Sequence, residues 1–218
     1  MIMRKKLLFF VCAVFMLGAI NAQDSLKAKK LLDQVSEKVK SYDNMVIKFN
    51  YILDEADSEY RRETKGDVAL QGNKYKLDLM GTTRIFDGKK LYDIIPADEE
   101  INISDYDPSN DDGISPSQML TFYEKGYDYE WDITQNVQGR TVQYIKLTPK
   151  KGSDDPIKQI LLGIDPQTKH IIKLIQIQKD GTKLTIDVKS FKTDQPLSEN
   201  MFKFNEDKYE GYYINRLD

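Results

Sequence analysis

Apolar residues recur along this chain at two different spacings. Between Ser25 and Lys40 they return every three or four positions, at Leu26, Leu32, Val35 and Val39 with Leu31 beside them. That is the stripe of an amphipathic helix, and Asp24 or Ser25 stands where its cap belongs. From Met45 the spacing drops to two. Met45, Ile47, Phe49, Tyr51 and Leu53 alternate with Val46, Lys48, Asn50 and Ile52, which predicts a strand with one apolar face. The acidic stretch Asp54–Glu63 reads as a solvated turn. Further strands are expected at Gly66–Leu70, Lys74–Leu79, Thr83–Phe86, Lys90–Ile95, Ile101–Ile103, Tyr127–Ile133, Thr141–Thr148, Gln159–Ile164, His170–Gln178, Leu184–Phe191 and Met201–Phe204. Gly72-Asn73, Asp87-Gly88, Gly139-Arg140, Asp165-Pro166 and Asp180-Gly181 punctuate them as turns. A second helix is predicted over Ser117–Lys125. Ser115-Pro116 opens it, Met119, Leu120, Phe122 and Tyr123 give it an apolar side, and Gly126 stops it. The result is a mainly β chain with two helices and about 11 strands. The turn spacing favours antiparallel hairpins in one continuous sheet.

The first 22 residues follow neither pattern. Arg4, Lys5 and Lys6 precede the apolar run Leu7–Ile20, which is too short and wrongly flanked for a membrane span. Ala22 then offers a small residue at a cleavage point. Residues 1–22 therefore read as a signal peptide and 23–218 as one exported domain. The only cysteine, Cys12, lies inside that leader, so the mature chain is expected to have neither disulfide nor thiol chemistry. The 218-residue chain carries a formal charge of −3, and removing three basic leader residues makes it more acidic still. No basic patch suited to nucleic acid remains. Tyr outnumbers Phe and Trp, at 13 against 9 and 1, in keeping with strands.

Candidate chemistry is sparse. His170 is the single histidine, and neither a nucleophile elbow nor a glycine-rich phosphate cradle is present. Zinc has no ligand set. Carboxylates are abundant, so a glycosidase-like pair is not excluded by sequence, although chance supplies many Asp/Glu pairs. The acidic loop at 105–113 offers oxygen ligands but lacks a bidentate Glu at its end, which favours a solvated loop over a cation site. Asn102-Ile103-Ser104 fits a glycosylation pattern inside a predicted strand.

What remains is apolar geometry, and it reads in two ways. The helices plug the sheet as an ordinary core, or an incomplete barrel holds an apolar ligand on its concave face beneath movable helices. Composition does not separate the two.

The order of short motifs resembles the outer-membrane lipoprotein carrier (LolA) family of periplasmic chaperones. The likeness runs from Val39-Lys40-Ser41-Tyr42 through the strand Met45–Tyr51, Gly66-Asp67-Val68 and Asn73-Lys74-Tyr75-Lys76-Leu77-Asp78. It continues through the hairpin Phe86-Asp87-Gly88-Lys89-Lys90-Leu91-Tyr92, then Leu147-Thr148-Pro149-Lys150 and Phe202-Lys203-Phe204. Ile103–Asp107 and Ser115–Ser117 are similar to the Bacteroidetes-type branch. Two departures stand out: Gln71-Gly72 replace an Arg thought to tie the family's lid shut, and Leu77 replaces a Trp.

The resemblance implies an open antiparallel β-barrel with helices over its concave face. It implies a non-enzymatic periplasmic carrier, without cofactor or metal and monomeric. Such a carrier takes acylated lipoproteins from an inner-membrane ABC-type releasing complex to an outer-membrane acceptor. The expected lipid-binding residues are Met45, Ile47, Phe49, Tyr75, Leu77 and Leu79 on the sheet, and Leu32, Val35, Met119 and Phe122 on the helices. The alternative on the same fold is a periplasmic binder or sensor of other lipids or of mislocalised lipoproteins.

Overall fold

The computed structural model describes residues 23–106, 118–137, 139–152 and 155–217; the Met119 side chain is outside this set. The predicted leader with Cys12, the acidic stretch from 107 and the predicted helix start at Ser115–Ser117 also lie outside the described residues.

One α-helix, α1 (residues 23–40), opens the described chain. Its inward stripe is Ala28, Leu31, Leu32, Val35 and Val39, all buried. Leu26, expected on that stripe, is instead exposed, and Ala28 takes the inward place one helical turn before Leu32. Lys29 pairs with Asp33 on the outer side at 2.7 Å.

The strands are β1 (Met45–Asp54), β2 (Arg61–Gln71), β3 (Lys74–Leu79), β4 (Thr82–Phe86), β5 (Lys90–Ile95) and β6 (Glu100–Asp105). They continue with β7 (Tyr127–Val137), β8 (Arg140–Pro149), β9 (Ile157–Ile164), β10 (Ile171–Gln178), β11 (Lys183–Thr193) and β12 (Tyr213–Leu217). All twelve form one open sheet in the order β12-β6-β5-β4-β3-β2-β1-β11-β10-β9-β8-β7. The chain meanders outward from β1 to β6, crosses to the far edge at β7, and meanders back until β11 pairs with β1. This crossover is decisive for the site. The described ends of the β6–β7 connection meet the concave side: Tyr106, Leu120, Phe122 and Tyr123 all join the same apolar cluster as α1.

Alternation assigns the two faces. On the concave face, Met45, Ile47, Val68, Leu70 and Tyr75 meet Ile145, Leu147, Ile160, Leu162, Ile164 and the α1 stripe in one cluster. Each fully buried Leu or Ile there contributes roughly 1.5–3 kcal/mol. A smaller cluster lies on the opposite face, where Ile85, Ile94, Ile101 and Ile103 are covered by Phe204, Tyr209 and Tyr212. Phe204 stacks on Tyr92 with ring centroids 4.8 Å apart.

Two predicted elements are corrected. The expected second helix is a pair of 3-10 turns, Gln118–Leu120 and Phe122–Glu124, broken at Thr121. A β-branched residue followed by two aromatics is a poor helix interior, and Tyr123 is drawn into the core instead. Over Met201–Phe204 the expected strand is absent: Met201 and Phe202 form a turn and Lys203 and Phe204 are irregular. The closing strand is β12, and it runs parallel to β6, the one departure from antiparallel pairing. The carrier-like hairpin motif turns out to be architectural. Asp87 Oδ1 accepts from the Lys89 and Lys90 amides at 2.8 Å each, and Gly88 supplies the φ of 101° that a side chain would resist.

Candidate functional site: an apolar cavity in the concave face

At the centre of the sheet β1, β2 and β3 face β10 and β11 across an apolar cavity of about 170 Å³. One wall is Ile47, Phe49, Tyr51, Val68, Leu70, Leu77 and Leu79. The other is Ile171, Leu174, Leu184, Ile186, Val188 and Phe191. Leu120 covers it from the crossover. The wall depends on Gly66. Phe49 pairs with Gly66 across the β1–β2 ladder, and its ring lies where a Cβ would be, 2.6 Å from that position. Any side chain at 66 has to displace the Phe49 ring, which itself lines the cavity.

The ten candidates separate. Ile47, Phe49, Leu77 and Leu79 come together in this cavity. Met45 is buried just beyond it, in a crevice shared with Val39, Leu70 and Leu120. Tyr75 is buried with its ring against Phe86 at 5.7 Å. Val35 is fully buried, and Leu32 borders a second, wider crevice of about 570 Å³ between α1 and the crossover. That crevice also contains Lys29, Asp33, Glu37, Lys40 and Glu124, which makes it a poor hydrocarbon site. Phe122 is half-buried edge-on to Tyr127, and the Met119 side chain lies outside the described residues. The β10–β11 wall was missed. The alternation Leu184, Ile186, Val188 was available as a signal, but nothing local says that β11 returns to lie beside β1.

Polar contacts tie the described part of the crossover to α1 and to β7. Glu124 accepts from Ser36 Oγ and from Lys40 Nζ (2.6 Å), both on α1, and these bonds hold its carboxyl below the usual carboxylate range. The Lys40 pair is exposed, so it contributes little. Tyr129 donates its hydroxyl to the Tyr123 carbonyl at 2.6 Å. The Tyr123 hydroxyl itself is buried with no hydrogen-bond partner among the described residues, and burial pushes its pKa up. Tyr123→Phe removes an unsatisfied buried group, so it should stabilise the protein by about 1 kcal/mol. Chemical denaturation reads this directly, and a destabilisation would show that the hydroxyl is satisfied in solution.

At the cavity's edge His170 stacks on Phe191, with centroids 4.1 Å apart, and its Nε2 lies 2.8 Å from the Tyr42 hydroxyl. Burial lowers the His170 pKa, against an opposing pull from Asp165. The unfolded chain therefore binds this proton more readily than the folded one. Stability is full above about pH 6.5 and declines as pH falls from there toward the lowered folded value. His170→Gln should flatten that slope in thermal melts between pH 7 and 5; an unchanged slope would assign it to other groups. Among the described residues no group of three or more His, Cys, Asp or Glu is placed to hold a metal.

Solved structures share the fold. An uncharacterised conserved protein from Thermus thermophilus aligns with a TM-score of 0.59 at 11% identity, over 88% of this chain and 99% of that one. The lipoprotein LppX of Mycobacterium tuberculosis aligns with a TM-score of 0.50 at 14% identity, over 78% and 98%. No curated protein matches the sequence. The profile of the family described as outer membrane lipoprotein carrier protein LolA matches residues 40–205, which spans β1 through β11 and the crossover, and the chain belongs to that family.

Proposed function

We propose that this protein is a periplasmic carrier that buries the acyl chains of lipoproteins in its concave face and shuttles them from the inner to the outer membrane. The observation that carries the reading is an apolar cavity at the centre of an open sheet, closed by a separate crossover segment rather than by the sheet itself. Three acyl chains hold roughly 45 methylenes, and each is worth about 0.8 kcal/mol against water. An acylated protein does not cross an aqueous compartment unaided at that cost.

The cavity of about 170 Å³ is close to the ~150 Å³ of an engineered cavity that takes up benzene, far too small for three chains. This is accordingly a closed state, and loading displaces the crossover around Leu120. The exposed Glu124–Lys40 pair is a weak tie, which suits a cover that has to move. The leader at 1–22 supplies export, an inner-membrane ABC-type complex supplies cargo, and an outer-membrane acceptor receives it. The carrier works as a monomer and breaks no covalent bond.

Organic extraction of the protein purified from its native host, followed by mass spectrometry, tests this. Triacylated peptide is expected. Free fatty acid or glycolipid alone would favour the lipid-binder reading, and an extract without lipid would oppose both.

A further inference from the structure

We propose that the polar end of the concave face is a head-group subsite, which accepts uncharged ester and amide groups and discriminates against anionic heads. The proposal rests on the carrier reading above. Its basis is a cross-strand row in register. Leu77 on β3 pairs with Arg84 on β4, Arg84 with Asp93 on β5, Asp93 with Asn102 on β6, and Asn102 with Asn215 on β12. Residues paired in this way share one sheet face, so the row continues the face that bears the apolar cavity.

The row borders a pocket of about 290 Å³ whose polar groups are Thr82, Arg84, Asp93 and Asn102. Leu77 and Leu79 line both this pocket and the apolar cavity, so the wall changes from hydrocarbon to polar within two strands. A chain leaving the cavity over those two leucines brings its head here.

The chemistry of the pocket selects the head. Arg84 donates from Nε and from a terminal nitrogen to the two Asp93 oxygens, at 2.5 and 2.9 Å. The Asp93 carboxylate sets a negative charge beside the guanidinium, so an anionic head entering the pocket meets a like charge there. Asn215 donates to Asn102 Oδ1 at 3.1 Å, which leaves the Asn102 amide N–H groups, with the Thr82 hydroxyl, without hydrogen-bond partners among the described residues. These donors suit ester and amide carbonyls. An ion pair that only pinned strand register would need neither the shared leucine wall nor the adjoining donors.

The test titrates the mature chain with two probes of identical acyl length, dioctanoylglycerol and dioctanoyl phosphatidic acid. The wild type should bind the neutral probe about tenfold more tightly. Asp93→Asn should tighten the anionic probe about tenfold and leave the neutral one within twofold. Thr82→Val should weaken the neutral probe about threefold with an unchanged melting temperature, and it keeps the test decisive where Asp93→Asn fails to fold. Equal shifts for both probes, or no shift in either variant, would overturn the subsite while leaving the carrier reading intact. A wild type that binds neither probe would remove the carrier reading and the subsite together.

Discussion

Ile186→Asp should reduce affinity for a fluorescent long-chain acyl probe by at least 100-fold. Ile186 sits in the β11 wall of the apolar cavity, paired with Tyr51 on β1 and Leu174 on β10, both of which line the same cavity. A carboxylate there would be stripped of water as hydrocarbon enters, and the effective penalty for a buried unpaired ion is several kcal/mol. At 1.4 kcal/mol per decade that removes two or more decades of affinity. Ile186 is only half-buried, so its replacement should leave the fold intact. Ile186→Val should bind within threefold of wild type. Direct titration checks both variants, and near-wild-type binding by Ile186→Asp would move the ligand elsewhere.

The second large effect is on stability alone. Ile145 on β8 is fully buried, pairs with Trp131 on β7 and Leu162 on β9, and borders neither the apolar cavity nor the polar pocket. Ile145→Ala removes three carbons from beneath α1 and should destabilise the protein by about 2–5 kcal/mol. For a domain of this size that lowers the melting temperature by roughly 4–20 °C. The variant should still bind the acyl probe at low temperature, since the cavity wall is untouched. Parallel loss of binding and stability in the two variants would mean that cavity and core are a single packing unit.

These two positions show which parts of the architecture were legible along the chain. Alternation placed Ile47, Phe49, Leu77 and Leu79 on one face because strand periodicity needs only local information. It did not reveal that Leu184, Ile186 and Val188 form the opposite wall, because the return of β11 to β1 is a property of the whole topology. The short strand β12 escaped notice, since Tyr213–Leu217 is brief, carries Asn215 and Arg216, and is held by parallel pairing to β6. Over 118–125 the apolar spacing suggested a helix, but tertiary packing of Tyr123 prevailed over local spacing. Arg84 and Asp93 looked like ordinary strand polars, and only their register with Leu77 places them at the mouth of a cavity. The hairpin around Asp87-Gly88 was the clearest family signal and serves the fold rather than the ligand.

Site-specific photocrosslinking is the most direct measure of the central claim. Leu77 and Lys76 are neighbours on β3 and point to opposite faces, Leu77 into the apolar cavity and Lys76 toward the crevice with Ile85 and Phe204. A photoreactive residue at each position, presented with a triacylated peptide, should capture the acyl chains at position 77 and not at 76. Equal capture at both positions, or capture at 76 alone, would contradict a carrier that holds its cargo in the hollow of the sheet.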